Sequence, residues 1–378
     1  DFPFSDAFDG EDDGLEILLK DQLDEDGWPR PNLERGKASR ANFLAMLLQQ
    51  FVREMIAGNC PIFHIDKSQP NTGASYLSNV VSIALTGHES TMATMPPNQE
   101  EFDKKMLGWL GNGDQIIFFD NIGDDIDIAA FAGAVTASTY TARVLRTNDM
   151  RTVEITSLWM TAANNLTVSE EIERRVVPIR MDACMSDPGQ RTFKQNPLVP
   201  FLHEQRTEMV RACLTIIQHW LDVGKPLWSK RHDAGKKMDS YEAWMGVMGG
   251  IVEANGVEGF LDNLEAFRAA NGGNKDEAYS EMYEELYNKS YGNVFTPKQA
   301  FEWLAKDSNS PMQTEWRVHV PVETRDKRKG LSELLAKLKG KNIQTSQGEM
   351  RIKKPAHGKY QLEKVNPRVL SPAPRSEK

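Results

Sequence analysis

Apolar and polar positions alternate along the first 195 residues in a way that predicts both helices and strands. Apolar residues recur at helical spacing from Ser39 to about Gly58, with Ser39 as the expected N-terminal cap. The short apolar runs with the length of buried strands are 61–66, 115–119, 158–161 and 176–180. Strands that alternate with helices predict an α/β fold built on a parallel sheet.

The stretch from Cys60 to Gly87 has the pattern of a strand, a loop of small residues and a helix. In this setting the loop N–H groups and the helix N-terminus point at an anion. The loop sequence SQPNTGAS is close to a phosphate-binding Walker A motif. Gly73 takes the place of its second glycine, and Ser75 takes that of the magnesium-binding hydroxyl. The residues expected to bind the nucleotide are Pro70, Asn71, Thr72, Gly73, Ala74, Ser75 and Tyr76.

The loop departs from the motif at two positions. Ser68 replaces the first glycine, and Ala74 replaces the lysine that contacts the phosphates. Our hypothesis is that Ala74 is an engineered change that stops hydrolysis; a naturally degenerate site is the alternative. Lys67, just before the loop, has two interpretations: it swings onto the phosphates, or, as we favour, it is a solvated lysine after a strand.

Three further segments have the chemistry of a nucleotide site. Asp120 follows a buried apolar strand, where a carboxylate holds magnesium through water and the next residue, Asn121, orients a water molecule. Asn164 ends the next buried strand, as a γ-phosphate sensor requires. Arg174 and Arg175 are either a solvated pair or a source of positive charge for a neighbouring subunit.

Between Asp120 and Asn164 the pattern predicts a helix over 128–141 and then a strand, a turn and a strand over 143–155. This hairpin carries Arg143, Arg146 and Arg151, with Asn148 in its turn.

Together these motifs resemble an AAA+ ATPase of the helicase clade. More narrowly, they resemble the superfamily-3-like replicative helicases of prophages, plasmids and integrative elements, which are often encoded with a primase-polymerase. The opening residues DFPF, the run NNLTVSEEIERRVVPIRMD and the segment SYEAW followed by GGI share this likeness. The resemblance covers most of residues 38–270.

The resemblance implies a ring, expected to be a hexamer, that binds ATP and Mg²⁺ between subunits. Asp120, Asn121 and Asn164 would be catalytic, and Arg174 or Arg175 would reach in from the neighbour. Ser75 and Asp120 would support the metal. The hairpin would reach into the channel and contact DNA through Arg143, Arg146, Asn148 and Arg151. In this group an Asp-Asn pair is usual where this chain has Asp120 and Asn121. Ala74 is therefore the departure that affects catalysis.

The C-terminal part has its own pattern. Thr296 to Gln299 form a capping box, a helix is expected over 331–338, and two strands are expected at 350–354 and 359–362. A winged helix is the favoured interpretation, with a charged protein-docking domain as the alternative. The basic residues that would neutralise DNA phosphates are Lys337, Lys339, Lys341, Arg351, Lys353 and Lys354.

These patterns divide the chain into five parts. They are an acidic leading segment with an insertion (1–37), an AAA+ nucleotide-binding core (38–195), a helical lid-like domain with a linker (196–285), a winged helix (286–365) and a disordered tail (366–378).

Charge, hydropathy and cysteine content indicate the compartment in which the protein is expected. The net charge of the 378 residues is −9, yet residues 323–378 carry about fifteen Lys and Arg against six acids. No apolar run approaches the length of a membrane span, and the three cysteines form no CxxC pair. We therefore expect a soluble, cytoplasmic protein with no metal beyond nucleotide-bound magnesium. Because Asp1 is not a methionine, we expect a fragment or a renumbered chain.

The sequence thus predicts an ATP-dependent DNA helicase or translocase that acts on single-stranded or forked DNA in replication of a mobile element. A primase-polymerase is a candidate partner. With Ala74, this chain is expected to be inactive or weakly active. Two alternatives stay open: a loader or initiator that remodels origin DNA, and a scaffold that binds nucleotide without hydrolysing it.

Overall fold

The computed structural model describes residues 2–8, 15–96, 99–120, 129–143, 149–164, 170–306, 331–332, 334–336, 338–340, 342–356 and 358–365. The chain forms two compact units, Asp1–Asn271 and Gly272–Lys378. The finer division that the sequence suggested stays a prediction.

A six-stranded sheet is the centre of the first unit. Its strands are β1 (Phe4–Ser5), β4 (Ile62–Lys67), β5 (Met92–Ala93), β6 (Ile116–Phe119), β9 (Leu158–Asn164) and β10 (Val176–Met181). They lie in the order β1-β10-β4-β9-β6-β5. All neighbours are parallel except β1, which is antiparallel to β10. The predicted α/β fold with a parallel sheet is confirmed.

Helices flank this sheet, and two small hairpins lie beside it. The helices are α1 (Lys37–Gln49), α2 (Ala74–Thr86), α3 (Gln99–Asn112), α4 (Ala129–Thr136), α5 (Glu170–Glu173), α6 (Leu198–Asp222), α7 (Glu242–Ala254) and α8 (Leu264–Arg268). One hairpin joins β2 (Leu18–Leu23) to β3 (Pro29–Pro31), and the other joins β7 (Thr139–Arg143) to β8 (Met150–Glu154).

Helix α1 begins two residues before the predicted cap. Its N-cap is Gly36, and Ser39 lies inside the helix, where its hydroxyl donates to the Ser5 carbonyl at 2.7 Å. The carboxylate of Asp6 caps the first turn instead, accepting from the N–H groups of Ala38 and Ser39 at 2.9 and 2.8 Å. The predicted cap was wrong because the capping group comes from a distant part of the chain.

The leading segment is built into the first unit. Strand β1 extends the main sheet, and a Cβ at Gly36 would lie 2.5 Å from the carbonyl carbon of Phe4. Gly36 also has a φ of 61°. The left-handed backbone and the close approach of Phe4 therefore both favour glycine at this position. Residues 9–14, in the predicted insertion, lie outside the described residues.

The β7–β8 hairpin begins earlier than predicted. Helix α4 ends at Thr136 rather than near 141, and the first strand runs from Thr139 to Arg143 rather than from 143. Threonine and tyrosine at 139–141 favour a strand, and each pairs with β8. The predicted bounds were wrong because the apolar helical pattern does not continue beyond Thr136.

Helices α1, α6 and α7 share one apolar core with the sheet. Trp244 of α7 packs edge-on against Phe63 of β4, and its indole N–H donates to Gln49 Oε1 at 2.7 Å. Trp244 is therefore a core residue, fully buried between α7 and the sheet. Leu214 of α6 is 50% exposed, because the opposite face of α6, with Cys213, Ile217 and Trp220, packs against the rest of the unit.

The second unit contains α9 (Asn274–Ser290), α10 (Pro297–Lys306) and a sheet of β11 (Asn342–Thr345), β12 (Gly348–Ala356) and β13 (Lys359–Lys364). The glycines and acids of residues 271–285 predicted a linker, but α9 begins at Asn274 and includes most of them. Met282, Tyr283 and Leu286 form its buried stripe, which the acidic composition concealed. The capping box before α10 is confirmed: Gln299 N–H donates to Thr296 Oγ1 at 3.3 Å, and Thr296 N–H donates back to Gln299 Oε1 at 2.9 Å.

In the part of the chain that the structure describes, no helix has the length and apolar composition needed to cross a membrane.

Candidate functional site: a phosphate-binding loop at the sheet edge

The loop between β4 and α2 has the backbone geometry of an anion-binding turn. Gly73 has a φ of 112° and Asn71 a φ of 62°, and α2 begins directly afterwards at Ala74. The left-handed backbone at Gly73 favours glycine, which has no Cβ to strain. The loop therefore leads directly into the N-terminus of a 13-residue helix, where N–H groups have no partner within the helix.

Side chains from outside the loop fix its shape. The guanidinium of Arg191 donates to the Thr72 carbonyl at 2.9 Å, and the Ser68 hydroxyl donates to Asp182 at 2.9 Å. Thr72 is buried and bonds to the Gln69 carbonyl. Burial lowers the pKa of Arg191, and the charge of Arg35 lowers it further. The sequence analysis missed Arg191, because nothing local links it to a loop 119 residues away.

Ser75, Asp120 and Lys67 meet at the end of the sheet. The Ser75 hydroxyl lies 3.4 Å from Asp120 Oδ2, and Lys67 Nζ lies 3.4 Å from Asp120 Oδ1. The side chains of Lys67 and Asp120 are only 12% and 16% exposed. Lys67 is therefore not the solvated lysine that the sequence analysis favoured.

Asn164 lies on the strand between β4 and β6. It pairs in register with Lys67 of β4, at the end of the sheet where the loop and Asp120 lie. Its side chain is exposed. The sequence thus correctly anticipated that β9 lies beside the strand that ends at Asp120, whereas the sensor role of Asn164 stays a prediction. Asn121 lies outside the described residues.

The donor set fits a nucleotide-bound Mg²⁺ ion. Mg²⁺ prefers oxygen ligands, uses one or two protein groups and takes the rest from phosphates and water. Ser75 and Asp120 offer a hydroxyl and a carboxylate 3.4 Å apart beside the N-terminus of α2. Among the described residues, no group of three or more His, Cys, Asp or Glu side chains is placed to hold a metal.

Arg174 and Arg175 lie at the opposite end of the same sheet. They precede β10, whose first residue pairs with Ile62 and whose last pairs with Lys67. A strand of this length spans about 20 Å. Arg174 is exposed and Arg175 is half-buried. Within one chain, the arginine pair and the loop 68–75 therefore lie at opposite ends of the parallel strands.

Arg268 of α8 is near enough to Arg174 for the two charges to interact. Its guanidinium donates to the Lys237 carbonyl at 2.8 Å. The pKa of Arg268 is lowered, mainly by burial. The charges of Glu173 and Asp239 oppose this shift, and the charge of Arg174 adds to it. No sequence motif marks this position, since its link to Arg174 depends on where α8 packs.

The predicted hairpin residues are only partly described. Arg143 ends β7 and Arg151 lies in β8; both are exposed. Arg146 and Asn148 lie outside the described residues. The structure therefore places two of the four predicted DNA contacts on one two-stranded hairpin.

In the second unit, two of the predicted phosphate-binding cations already have an acidic partner. Arg351 donates to Glu363 Oε1 at 3.0 and 3.3 Å, and Lys353 forms an ion pair with the same carboxylate. Lys354 lies 5.8 Å from the ring centre of Tyr360, and Lys339 is exposed. Lys337 and Lys341 lie outside the described residues.

Comparisons with known proteins give no family for this chain. No protein-family model matches it, and no curated protein matches its sequence. Solved structures with partial likeness include the C-terminal region of NrS-1, at 11% identity over 94% of this chain and 83% of that chain, with a TM-score of 0.34.

Two others carry helicase in their names. JCV helicase, bound to a small molecule, is 15% identical over 49% of this chain and 54% of its own, with a TM-score of 0.28. SCCmec type IV Cch, described as an active helicase, is 9% identical over 68% of this chain and 51% of its own, with a TM-score of 0.35. Likeness at these TM-scores shows neither a family nor an activity for this chain.

Proposed function

We propose that this chain is an ATP-dependent DNA translocase of the helicase type, which works as a ring of identical copies. The observation that carries the proposal is that two sets of candidate site residues lie at opposite ends of one sheet. The phosphate-binding loop, Ser75 and Asp120 lie at one end, and the arginine pair 174–175 lies at the other. A triphosphate on the loop would meet these arginines only from a second copy.

The site residues have distinct tasks in this proposal. The N–H groups of the loop and of the first turn of α2 bind phosphate oxygens, with Arg191 holding the loop in shape. Ser75 and Asp120 would hold Mg²⁺, and Asn164 would donate to the terminal phosphate. Mg²⁺-bound ATP supplies the phosphoryl bond whose hydrolysis drives movement. Asn121 would orient water, as the sequence resemblance implies.

The arginine pair explains why a ring is proposed rather than a monomer. Contacts in which one face of a copy meets a different face of the next are head-to-tail, and such contacts close into rings. Arginine from a neighbour stabilises the charge of a transferring phosphoryl group. A ring of six, a role in a mobile element and a primase-polymerase partner rest on the sequence resemblance alone.

Two parts of the chain are proposed to contact DNA. The β7–β8 hairpin presents Arg143 and Arg151. In the second unit, the order of two helices, further helical residues at 331–332 and 334–336 and a three-stranded sheet supports a winged helix. A bridge between Phe295 and Tyr360 adds the short strand segment that lies between the first two helices. Basic side chains on such a domain bind phosphates without reading bases.

The test compares this chain with its Ala74→Lys variant. ATP turnover is measured with and without single-stranded DNA, and strand displacement is measured on a forked duplex. The proposal expects Ala74→Lys to hydrolyse ATP, to be stimulated by DNA and to separate the strands. Ala74→Lys with Asp120→Asn is the matched control and should do none of these. Absence of turnover in Ala74→Lys, despite correct folding, would overturn the proposal.

Two other functions remain as alternatives. Turnover without strand displacement would favour a loader or initiator. A non-hydrolysing scaffold is favoured by one observation: Ala74 is only 3% exposed and belongs to the apolar core. Nucleotide binding without turnover in both this chain and Ala74→Lys would support the scaffold.

A further inference from the structure

Lys67 occupies an unusual place for a charged side chain. It is the last residue of β4, a central strand with β10 on one side and β9 on the other. Only 12% of its side chain is exposed. Burying a lysine to this extent costs free energy unless the ammonium group has partners of suitable charge. Its position therefore requires a physical reason.

The ammonium group lies where the proposed nucleotide ligands meet. Its Nζ is 3.4 Å from Asp120 Oδ1, and the other oxygen of that carboxylate is 3.4 Å from the Ser75 hydroxyl. Asn164 is its register partner on the next strand. Lys67 thus extends towards the site of the metal and the outer phosphates, and not into solvent.

The loop itself lacks a cation at its usual position. Ala74 is buried among apolar side chains and offers only a methyl group. Arg191 lies on the loop, but its described bonds are to the carbonyls of Thr72 and Pro188. A bound triphosphate carries several negative charges, and N–H groups and one metal ion compensate only part of them.

We propose that Lys67 supplies the positive charge for bound phosphates that position 74 does not supply. The inference rests on the proposed function, since it requires a triphosphate on the loop. Without nucleotide, the ammonium group pairs with Asp120. With nucleotide, it moves a short distance onto the outer phosphate oxygens, while Asp120 turns to the metal. A lysine is suited to this change because its ammonium is a compact charge on a flexible stem.

A purely structural role for Lys67 makes different predictions. A lysine that only neutralises Asp120 would affect ATP and ADP equally, and a new lysine at position 74 would not alter its importance. A lysine that binds the outer phosphates matters more for ATP than for ADP. It also becomes partly redundant once position 74 carries a charge.

The experiment measures equilibrium binding of ATP and of ADP to the full chain, in Mg²⁺, by isothermal titration calorimetry. Lys67→Met removes the charge but keeps the length, and Lys67→Arg restores a charge. Lys230→Met, at an exposed lysine between α6 and α7, is the matched control. Thermal unfolding of each variant shows whether it is folded. Lys67→Met is then repeated in the Ala74→Lys background.

Loss of a charge-assisted hydrogen bond predicts that Lys67→Met weakens ATP binding about tenfold or more, and ADP binding less. Lys67→Arg should recover part of the loss, and Lys230→Met should bind as the unmodified chain does. In the Ala74→Lys background the effect of Lys67→Met should fall to about threefold or less.

Each contrary result has its own meaning. Unchanged ATP affinity in Lys67→Met overturns the inference and leaves the proposed function standing. Equal losses for ATP and ADP that persist in the Ala74→Lys background also overturn it, in favour of the structural role. If the unmodified chain binds no ATP whereas Ala74→Lys does, the inference fails alone. If neither binds ATP, both the inference and the proposed function fail.

Discussion

The guanidinium of Arg180 and the carboxylate of Asp66 lie 2.5 Å apart, and both side chains are almost completely buried. The two residues are register partners on β10 and β4. Burial alone would raise the pKa of Asp66, but His64 and Arg180 outweigh it, and the net pKa is lowered. The pair therefore stays charged inside the unit, one residue before Lys67.

Removing one member of this pair should be costly. Asp66→Asn leaves the Arg180 charge buried without compensation, which predicts a loss of about 3–5 kcal/mol in the free energy of unfolding. Urea denaturation at pH 7 measures it. Asp239→Asn, at an exposed ion pair with Lys237, is the control and should change stability by less than about 1 kcal/mol. A loss at Asp66 no larger than the control would contradict this account.

The same pair predicts how stability depends on acid. A carboxyl group whose folded pKa is lowered contributes stability above its unfolded pKa, about 3.9, and loses it as the pH falls through the folded pKa. The difference in unfolding free energy between the unmodified chain and Asp66→Asn should therefore stay constant from pH 7 to about 5 and shrink below about 4. A difference that already shrinks near pH 6 would contradict this account.

The separation of Arg174 and Arg175 from the loop predicts complementation between inactive chains. In the Ala74→Lys background, Asp120→Asn disables the loop side of each site, and the double change Arg174→Ala with Arg175→Ala disables the arginine side. Each chain alone should be inactive. Mixed in equal amounts, they should regain ATP turnover, because about a quarter of head-to-tail contacts would join two intact sides.

Exchange between copies must be possible for this result, so the two chains are mixed as dissociated copies and then allowed to assemble. The matched control mixes two Asp120→Asn chains that carry different tags, and should gain nothing. If the mixture stays inactive while assembly is complete, the arginines act within their own chain or not at all, and the ring interpretation fails.

Gly250 of α7 has no room for a side chain, so replacing it should have a strong steric effect. A Cβ at this position would lie 2.0 Å from the Pro226 carbonyl oxygen and 3.1 Å from the Pro226 carbonyl carbon. Relieving this overlap requires the backbone at Pro226 or in α7 to shift, which costs free energy. Gly250→Ala should therefore lower the free energy of unfolding by about 3 kcal/mol or more. Gly108, exposed on α3, has no atom within 4 Å of its Cβ position, so Gly108→Ala should stabilise by up to about 1 kcal/mol. Equal effects of the two changes, measured by urea denaturation, would contradict this.

The strand, loop and helix around residues 68–75 were predictable because their signals are local. A strand, a small-residue loop and a helix follow one another between Cys60 and Gly87, and the structure has them in that order. The strand before Asp120 was recognisable for the same reason. That these two segments would meet follows from the parallel sheet, since the carboxyl ends of its strands share one edge.

What the sequence did not reveal depends on contacts between distant residues. Arg191 holds the Thr72 carbonyl, and Asp6 caps α1, yet each lies 30 or more positions away from its partner. The direction of the Lys67 side chain likewise depends on Asp120, which directly follows β6, a strand two places along the sheet. Spacing along the chain carries no signal for such contacts.

The ion pairs of Glu363 allow a test of the proposed DNA contact of the second unit. Its carboxylate is shared by Arg351 and Lys353, two of the cations proposed to contact phosphates. Glu363→Gln should release both and strengthen binding to forked DNA. Each added phosphate contact steepens the dependence of log affinity on log salt by about 0.9 for duplex and about 0.7 for single strands. Fluorescence anisotropy at several salt concentrations measures both changes.

Removing any acid raises the net positive charge, so the control must remove one as well. Glu349→Gln does so on the neighbouring strand β12, where the described residues include no ion-pair partner for Glu349. Only Glu363→Gln should steepen the salt dependence by the amount expected for one or two new phosphate contacts. Equal effects would mean that the charge of the unit, and not Arg351 and Lys353, guides DNA. If the unmodified chain and both variants bind no DNA at any salt concentration, the proposed DNA contact of the second unit is wrong, and the alternative of a charged protein-docking domain is favoured.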